Sequence, residues 1–224
     1  MTYTELETKM KAALFDMDGT LLDTMQQWRS CNVDYLTARG IHPTADQLPH
    51  IIQASSGAIL FEYIRKTFGV EVDQPVFRTM QKERMFATYA AGPTPKPGVV
   101  AYLRHLREKG VRTFVTTATW STHTTLALSR CGLLPFFDGI YCADVIGHSK
   151  KDPLYFAKVS DYIGVKASEC VLFEDAVYAI EGGREAGLLG VVAVTDATNT
   201  LFRDRLRELA DLVVDDLMEL VAGG

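Results

Sequence analysis

The chain is 224 residues long, 47% hydrophobic and 23% charged, the composition of a folded protein with its own core rather than of a disordered tail or a fibrous repeat. At roughly 100–200 residues per domain, that length fits one large domain or a domain with a smaller companion. Lys and Arg number 23 against 28 Asp and Glu, a formal net charge of -5, which leaves no basic field for nucleic-acid binding. The cysteines Cys31, Cys131, Cys142 and Cys170 are scattered without a C-x-x-C pair, as thiols in a reducing compartment are. No apolar stretch approaches the ~18 residues that cross a bilayer, and a soluble, cytoplasmic monomer is the expectation.

In chain order, a polar lead gives way to an apolar run, Lys11 to Asp16, that stops at Asp-Met-Asp-Gly-Thr as a buried strand stops at a loop. From Asp23 to about Ala91 apolar residues such as Val33, Leu36, Leu60, Ile64 and Phe68 recur at helical spacing, with breaks near Gly40 to Pro43, Leu48 to Pro49 and Gly69 to Pro75. The densest punctuation, Gly92-Pro-Thr-Pro-Lys-Pro-Gly98, predicts a linker or hinge. Helices and strands then alternate: a helix Val99 to Lys109, a strand Val111 to Thr117, a helix Thr122 to Arg130 and a strand Gly139 to Cys142. A helix Pro153 to Ile163, a strand Cys170 to Phe173, a helix Val177 to Ala186, a strand Gly190 to Val194 and a helical stretch from about Thr200 complete the series. Strands separated by helices imply a parallel sheet. Gly182-Gly183 inside a helix implies close packing, since glycine there costs roughly 1 kcal/mol relative to alanine.

In an open parallel sheet, reactive groups gather at the carboxyl ends of the strands. Those ends carry Asp16 and Asp18, Thr117, and Glu174-Asp175, with Lys150 in a loop. Carboxylates crowded into a crevice repel one another unless a cation is bound, and an all-oxygen set suits Mg²⁺. A phosphoryl group completes the arrangement, because the metal and the ammonium neutralise its oxygens while a carboxylate attacks phosphorus. A calcium-loop reading of Asp-Met-Asp-Gly-Thr fails, since Gly19 is fourth rather than sixth and Gln27 stands where a glutamate is needed.

Phe15-Asp-Met-Asp-Gly-Thr-Leu-Leu-Asp23, Thr117 after an apolar strand, Lys150 before Pro153 and Phe156, and Phe173-Glu-Asp-Ala176 before Ala186-Gly187 resemble the four motifs of the haloacid dehalogenase superfamily, in its phosphatase and beta-phosphoglucomutase-like branch. The resemblance implies a Rossmann-like α/β fold, a three-layer parallel-sheet core with an inserted all-helical cap. The core would be discontinuous, residues 1–23 plus 94–224, with residues 24–93 as the cap. It further implies Asp16 as the nucleophile that forms an aspartyl-phosphate, and Asp18 as the acid that protonates the leaving oxygen and then activates water. Thr117 and Lys150 would bind the phosphate, and Asp16, the backbone carbonyl of Asp18, Asp175 and Glu174, directly or through water, would hold Mg²⁺. The third motif departs from the family's Lys-Pro-x-Pro-Asp: the chain reads Lys150-Lys-Asp-Pro-Leu154, so Lys151 competes with Lys150, which aligns when Pro153 and Phe156 are matched. Thr116 likewise stands beside Thr117.

The implied activity is Mg²⁺-dependent hydrolysis of a small phosphomonoester. A dehalogenase would not need Asp18, and a beta-phosphoglucomutase resembling this chain would have a histidine where Trp28 stands. A phosphonate hydrolase would need a cap lysine, for which Lys66 is the candidate. A receiver domain would be about half as long, and a non-catalytic binding protein on the same scaffold would show no turnover.

Overall fold

The computed structural model describes residues 2–52, 57–196 and 198–222. The first helix, α1 (Tyr3–Lys9), lies in the stretch that composition marks only as a polar lead. It forms because Thr2 and Glu5 make a reciprocal capping box, a T-x-x-E signature visible in the sequence, and because Leu6 is buried beneath it.

The strand β1 (Ala12–Phe15) follows, then four helices, α2 (Met25–Thr37), α3 (Leu48–Ile52), α4 (Gly57–Phe68) and α5 (Gln74–Ala91). Beyond them come α6 (Val99–Glu108), β2 (Arg112–Thr117), α7 (Ser121–Arg130), β3 (Gly139–Cys142), the single turn α8 (Ala143–Ile146) and α9 (Pro153–Ile163). The chain continues with β4 (Cys170–Glu174), α10 (Val177–Glu185), β5 (Gly190–Val194), α11 (Arg203–Leu209), β6 (Leu212–Val214) and α12 (Met218–Ala222). The closing stretch is therefore not wholly helical. Leu212-Val213-Val214 is too short to show a period, yet it pairs in parallel with β5 and extends the sheet.

The six strands pair in parallel, in the order β3-β2-β1-β4-β5-β6. Side chains alternate along each strand, and two apolar clusters result. Ala13, Phe15, Val115, Phe173 and Val192 pack with Tyr102 and Leu106 of α6 and Leu128 of α7. Ala12, Leu14, Phe114, Leu172 and Val191 pack with Phe156 and Val159 of α9 and Ile180 of α10. This is a three-layer Rossmann-like core. The strand order turns back between β1 and β4, the switch point where such sheets open a crevice.

Helices α2–α5 leave the core after β1 and return before α6. They carry a cluster of their own, centred on Tyr35, Leu36, Ile64 and Phe77, while Cys31, Met85 and Tyr89 join the core cluster instead. The outgoing and returning chain segments run side by side. Leu22 and Pro95 form an antiparallel bridge, Asp23 N–H donates to Thr94 O at 2.9 Å, and Lys96 N–H donates to Leu21 O at 2.9 Å. The Gly92 to Gly98 stretch is thus one half of a hydrogen-bonded neck.

Candidate active site

The first carboxylate stands where β1 ends. The backbone N–H of Asp16 still bonds Phe173 O across the switch point at 2.9 Å, which fixes its side chain opposite the end of β4. There, Glu174 and Asp175 follow Phe173. Asp16, Glu174 and Asp175 are all buried and offer carboxylate oxygens within 4.8 Å of one another.

Lys150 reaches this cluster from the loop before α9. Its ammonium donates to Asp16 Oδ1 at 2.6 Å and to Glu174 Oε2. Lys150 is only 1% exposed, whereas Lys151 is exposed, so only the first of the two lysines points inward. The loop can approach because Gly182 of α10 has no side chain: a Cβ there would sit 2.1 Å from Lys150 O. Gly183 lies against Leu172 of β4 instead. The glycine pair therefore serves both the sheet and the lysine loop.

The electrostatics are strained in one direction. Burial and the neighbouring Glu174 carboxylate push the Asp16 pKa up to about 8, against the pull of Lys150. Burial, Glu174 and Asp16 likewise raise Asp175 well above the carboxylate range. Burial alone would lower the Lys150 pKa, but Asp16 and Glu174 raise it well above the usual lysine value, so its ammonium stays charged. Three carboxylates against one ammonium leave two negative charges in excess when all are ionised. Such a set is short of positive charge and made of hard oxygen donors, which fits a divalent cation such as Mg²⁺ or Ca²⁺. Glu174 also accepts at Oε1 from the backbone N–H groups of Asp175 and Ala176, each at 3.1 Å, so both of its oxygens are engaged.

Asp18 is buried too but stands apart from this cluster, bonded to hydroxyls. Its Oδ1 accepts from Thr24 Oγ1 at 2.5 Å and from Tyr89 OH at 2.8 Å, and its Oδ2 accepts from Thr119 Oγ1 at 2.6 Å. Thr24 precedes α2 and Tyr89 lies near the end of α5, so two of the three donors come from the ends of the helical insertion. Between the acids, Gly19 turns the chain at φ 86°, a conformation that favours glycine, and a Cβ there would meet Asp175 Oδ2 at 2.3 Å.

Thr117 is buried at the end of β2 and accepts from the Thr119 N–H at 3.1 Å. Lys96, only 9% exposed, spans the base of the site and donates to Gly19 O at 2.8 Å and Thr195 O at 2.9 Å. Thr24, Tyr89, Thr119 and Lys96 escaped the sequence reading. Thr119 lies two residues past the hydroxyl at the strand end and could have been found there. Tyr89 reads as one more apolar helix position, and Lys96 is hidden among prolines. Elsewhere, His148 bonds Asp152 at 2.7 Å, and Lys66, the candidate cap lysine, is exposed and paired with Glu62 at 2.7 Å. Among the described residues no helix is long and apolar enough to cross a membrane, and the cysteines are free thiols.

Comparison with known proteins points the same way. The chain is 26% identical over 214 residues to YhcW of Bacillus subtilis (strain 168), whose name carries a provisional phosphatase label, covering 94% of this chain and 97% of that one. It is 25% identical over 202 residues to the phosphorylated carbohydrates phosphatase of Thermotoga maritima, covering 85% and 88%. In three dimensions it matches a variant of CbbY from Rhodobacter sphaeroides in complex with xylulose-(1,5)bisphosphate, with TM-score 0.76, 21% identity and coverage of 94% and 96%, which is a likeness of fold. Residues 10–187 match the haloacid dehalogenase-like hydrolase family, a span that holds every acid and the lysine of the site. The chain belongs to the haloacid dehalogenase-like hydrolases.

Proposed function

We propose that this hydrolase is a phosphatase acting on small phosphorylated metabolites, sugar phosphates foremost, with Mg²⁺ and through an aspartyl-phosphate at Asp16. The observation that carries the reading is the buried Asp16, Lys150, Glu174 and Asp175 cluster at the switch point of the sheet. The matched relatives named as phosphatases support it.

Asp16 attacks phosphorus in line, and the leaving oxygen departs on the far side. Lys150 balances the charge of Asp16 and of a phosphoryl oxygen, and Glu174 anchors Lys150. The Thr117 hydroxyl donates to a phosphoryl oxygen. Asp16, Asp175 and the Asp18 backbone carbonyl, with Glu174 directly or through water, would hold Mg²⁺, whose charge would keep Asp16 ionised at neutral pH and draw electron density from phosphorus. Asp18 gives its proton to the leaving oxygen and then takes one from the water that hydrolyses the acyl-phosphate, one carboxylate in two roles. Residues 24–93 act as a cap over the crevice. Their displacement relative to the core loosens the Thr24 and Tyr89 bonds to Asp18 and frees the acid.

The isomerising alternative, a beta-phosphoglucomutase, receives no basic side chain from Trp28, and Lys66 is turned to solvent for any Schiff base. Phosphate release from a panel of sugar phosphates, phosphoglycolate and nucleotides, with and without Mg²⁺, tests the reading. Turnover that needs Mg²⁺ and disappears in Asp16→Asn is the expected result. No release from any ester, together with no binding of beryllium fluoride, would sink it.

A further inference from the structure

The chain has two tryptophans, and the fold brings both to one place. Trp28 lies on α2 of the helical insertion and Trp120 stands at the start of α7 in the core. Their rings are 6.1 Å apart between centroids and inclined by 27°. Both are partly buried, unlike Tyr35 and Phe77 at the centre of the insertion's own cluster, which are enclosed.

The position of this pair follows from Asp18. The Tyr89 hydroxyl bonds Asp18 at 2.8 Å, and the Trp28 indole lies beside that same hydroxyl. Trp120 packs on His123 at 5.1 Å, and His123 packs on Tyr89 at 6.0 Å. The indoles therefore stand one residue beyond the proposed acid, reached through Tyr89. In an in-line displacement the leaving oxygen lies opposite the nucleophile and against the acid, so the group attached to it projects toward Trp28 and Trp120. One indole belongs to the insertion and the other to the core, and here the two rings stack on one another; a group that parts them meets two aromatic faces.

We infer that Trp28 and Trp120 form the leaving-group subsite and that they select phosphomonoesters whose leaving group is a ring, above all a cyclic sugar. The π face of indole is negative and attracts the polarised C–H groups on one face of a furanose or pyranose. A flexible acyclic group offers no such face and loses more rotational freedom when held. The inference rests on the phosphatase reading and goes beyond it in naming what the cleft selects.

The test compares kcat/KM for a panel of pyranose and furanose phosphates with that for glycerol 3-phosphate and phosphoglycolate, at saturating Mg²⁺. In Trp28→Ala and Trp120→Ala the ring-to-acyclic ratio should fall about tenfold or more, chiefly through KM, and Trp28→Phe and Trp120→Phe should recover most of it. The two indoles are the whole tryptophan emission of the protein. Binding of a cyclic sugar phosphate to Asp16→Asn should therefore change the fluorescence more than glycerol 3-phosphate does at equal saturation. An unchanged ratio, an equal fall on both classes, or equal emission changes would overturn the subsite while leaving the phosphatase reading in place. Failure of the wild-type protein to hydrolyse either class would instead overturn the function on which the inference rests.

Discussion

The crevice of the core and the helical insertion are built on opposite plans. In the crevice, Asp16, Glu174 and Asp175 project from the ends of paired parallel strands, and the lysine that meets them is held by a helix packed against its backbone. In the insertion, the apolar cluster is small, centred on Tyr35, Leu36, Ile64 and Phe77, and the insertion reaches Asp18 through Thr24 and Tyr89. A rigid sheet keeps reacting groups within fractions of an ångström, which chemistry demands. In the proposed reading, helices joined to it by a narrow neck shift as a unit to admit substrate.

Substitutions can break that contrast, and the strongest lie in the crevice. Asp16→Asn removes the nucleophile, and turnover should fall on the order of 10⁴-fold or more on every ester, measured as phosphate release. Asp18→Asn should cost about 10²–10⁴-fold, with the smallest loss on esters whose leaving group needs no proton. Gly182→Ala drives a methyl into Lys150 O. Turnover should drop by about 10²-fold as the lysine is displaced, with KM for the ester changed far less than kcat. Phe77→Ala empties the centre of the insertion's cluster at a cost of about 3–5 kcal/mol. Its effect should differ among substrates rather than strike all equally. A uniform fall in kcat for Phe77→Ala would erase the division of labour between the two regions.

The mildest test is one of pH. Folding raises the Asp16 pKa from the usual carboxylate value to about 8. Between those values the native state binds more protons than the unfolded one, so the cation-free protein loses stability as pH rises toward 8. A divalent cation takes the place of those protons. Saturating Mg²⁺ should therefore raise Tm by about 5–10 °C at pH 8 and by distinctly less at pH 6, in differential scanning fluorimetry. Equal shifts at both values would mean that the acids are not the binding site.

The legible part of this molecule was what chemistry or periodicity marks along the chain. Asp16, Asp18, Glu174 and Asp175 stand at strand ends and Lys150 in a loop before a helix, all charged, and the alternation of β2, α7 and β3 is plain in the apolar pattern. Neither β6 nor α1 showed itself in the apolar pattern, since three residues of strand and a seven-residue helix are too short for a period to emerge. The clamp on Asp18 was also hidden, because Thr24, Tyr89 and Thr119 are distant in sequence, and only the neck that returns α5 beside β1 brings them together. Trp28 could be counted to a position but not to a partner, since its contact with Trp120 exists only across the cleft.

The neck at Leu22 and Pro95 has an evolutionary meaning. Because the chain leaves and re-enters the core at neighbouring points, everything between can be lengthened, shortened or exchanged with little disturbance to strand register. Recombination there would graft a foreign recognition module onto an unaltered catalytic engine. A lineage carrying such a junction can diversify its diet of metabolites while inheriting its chemistry intact.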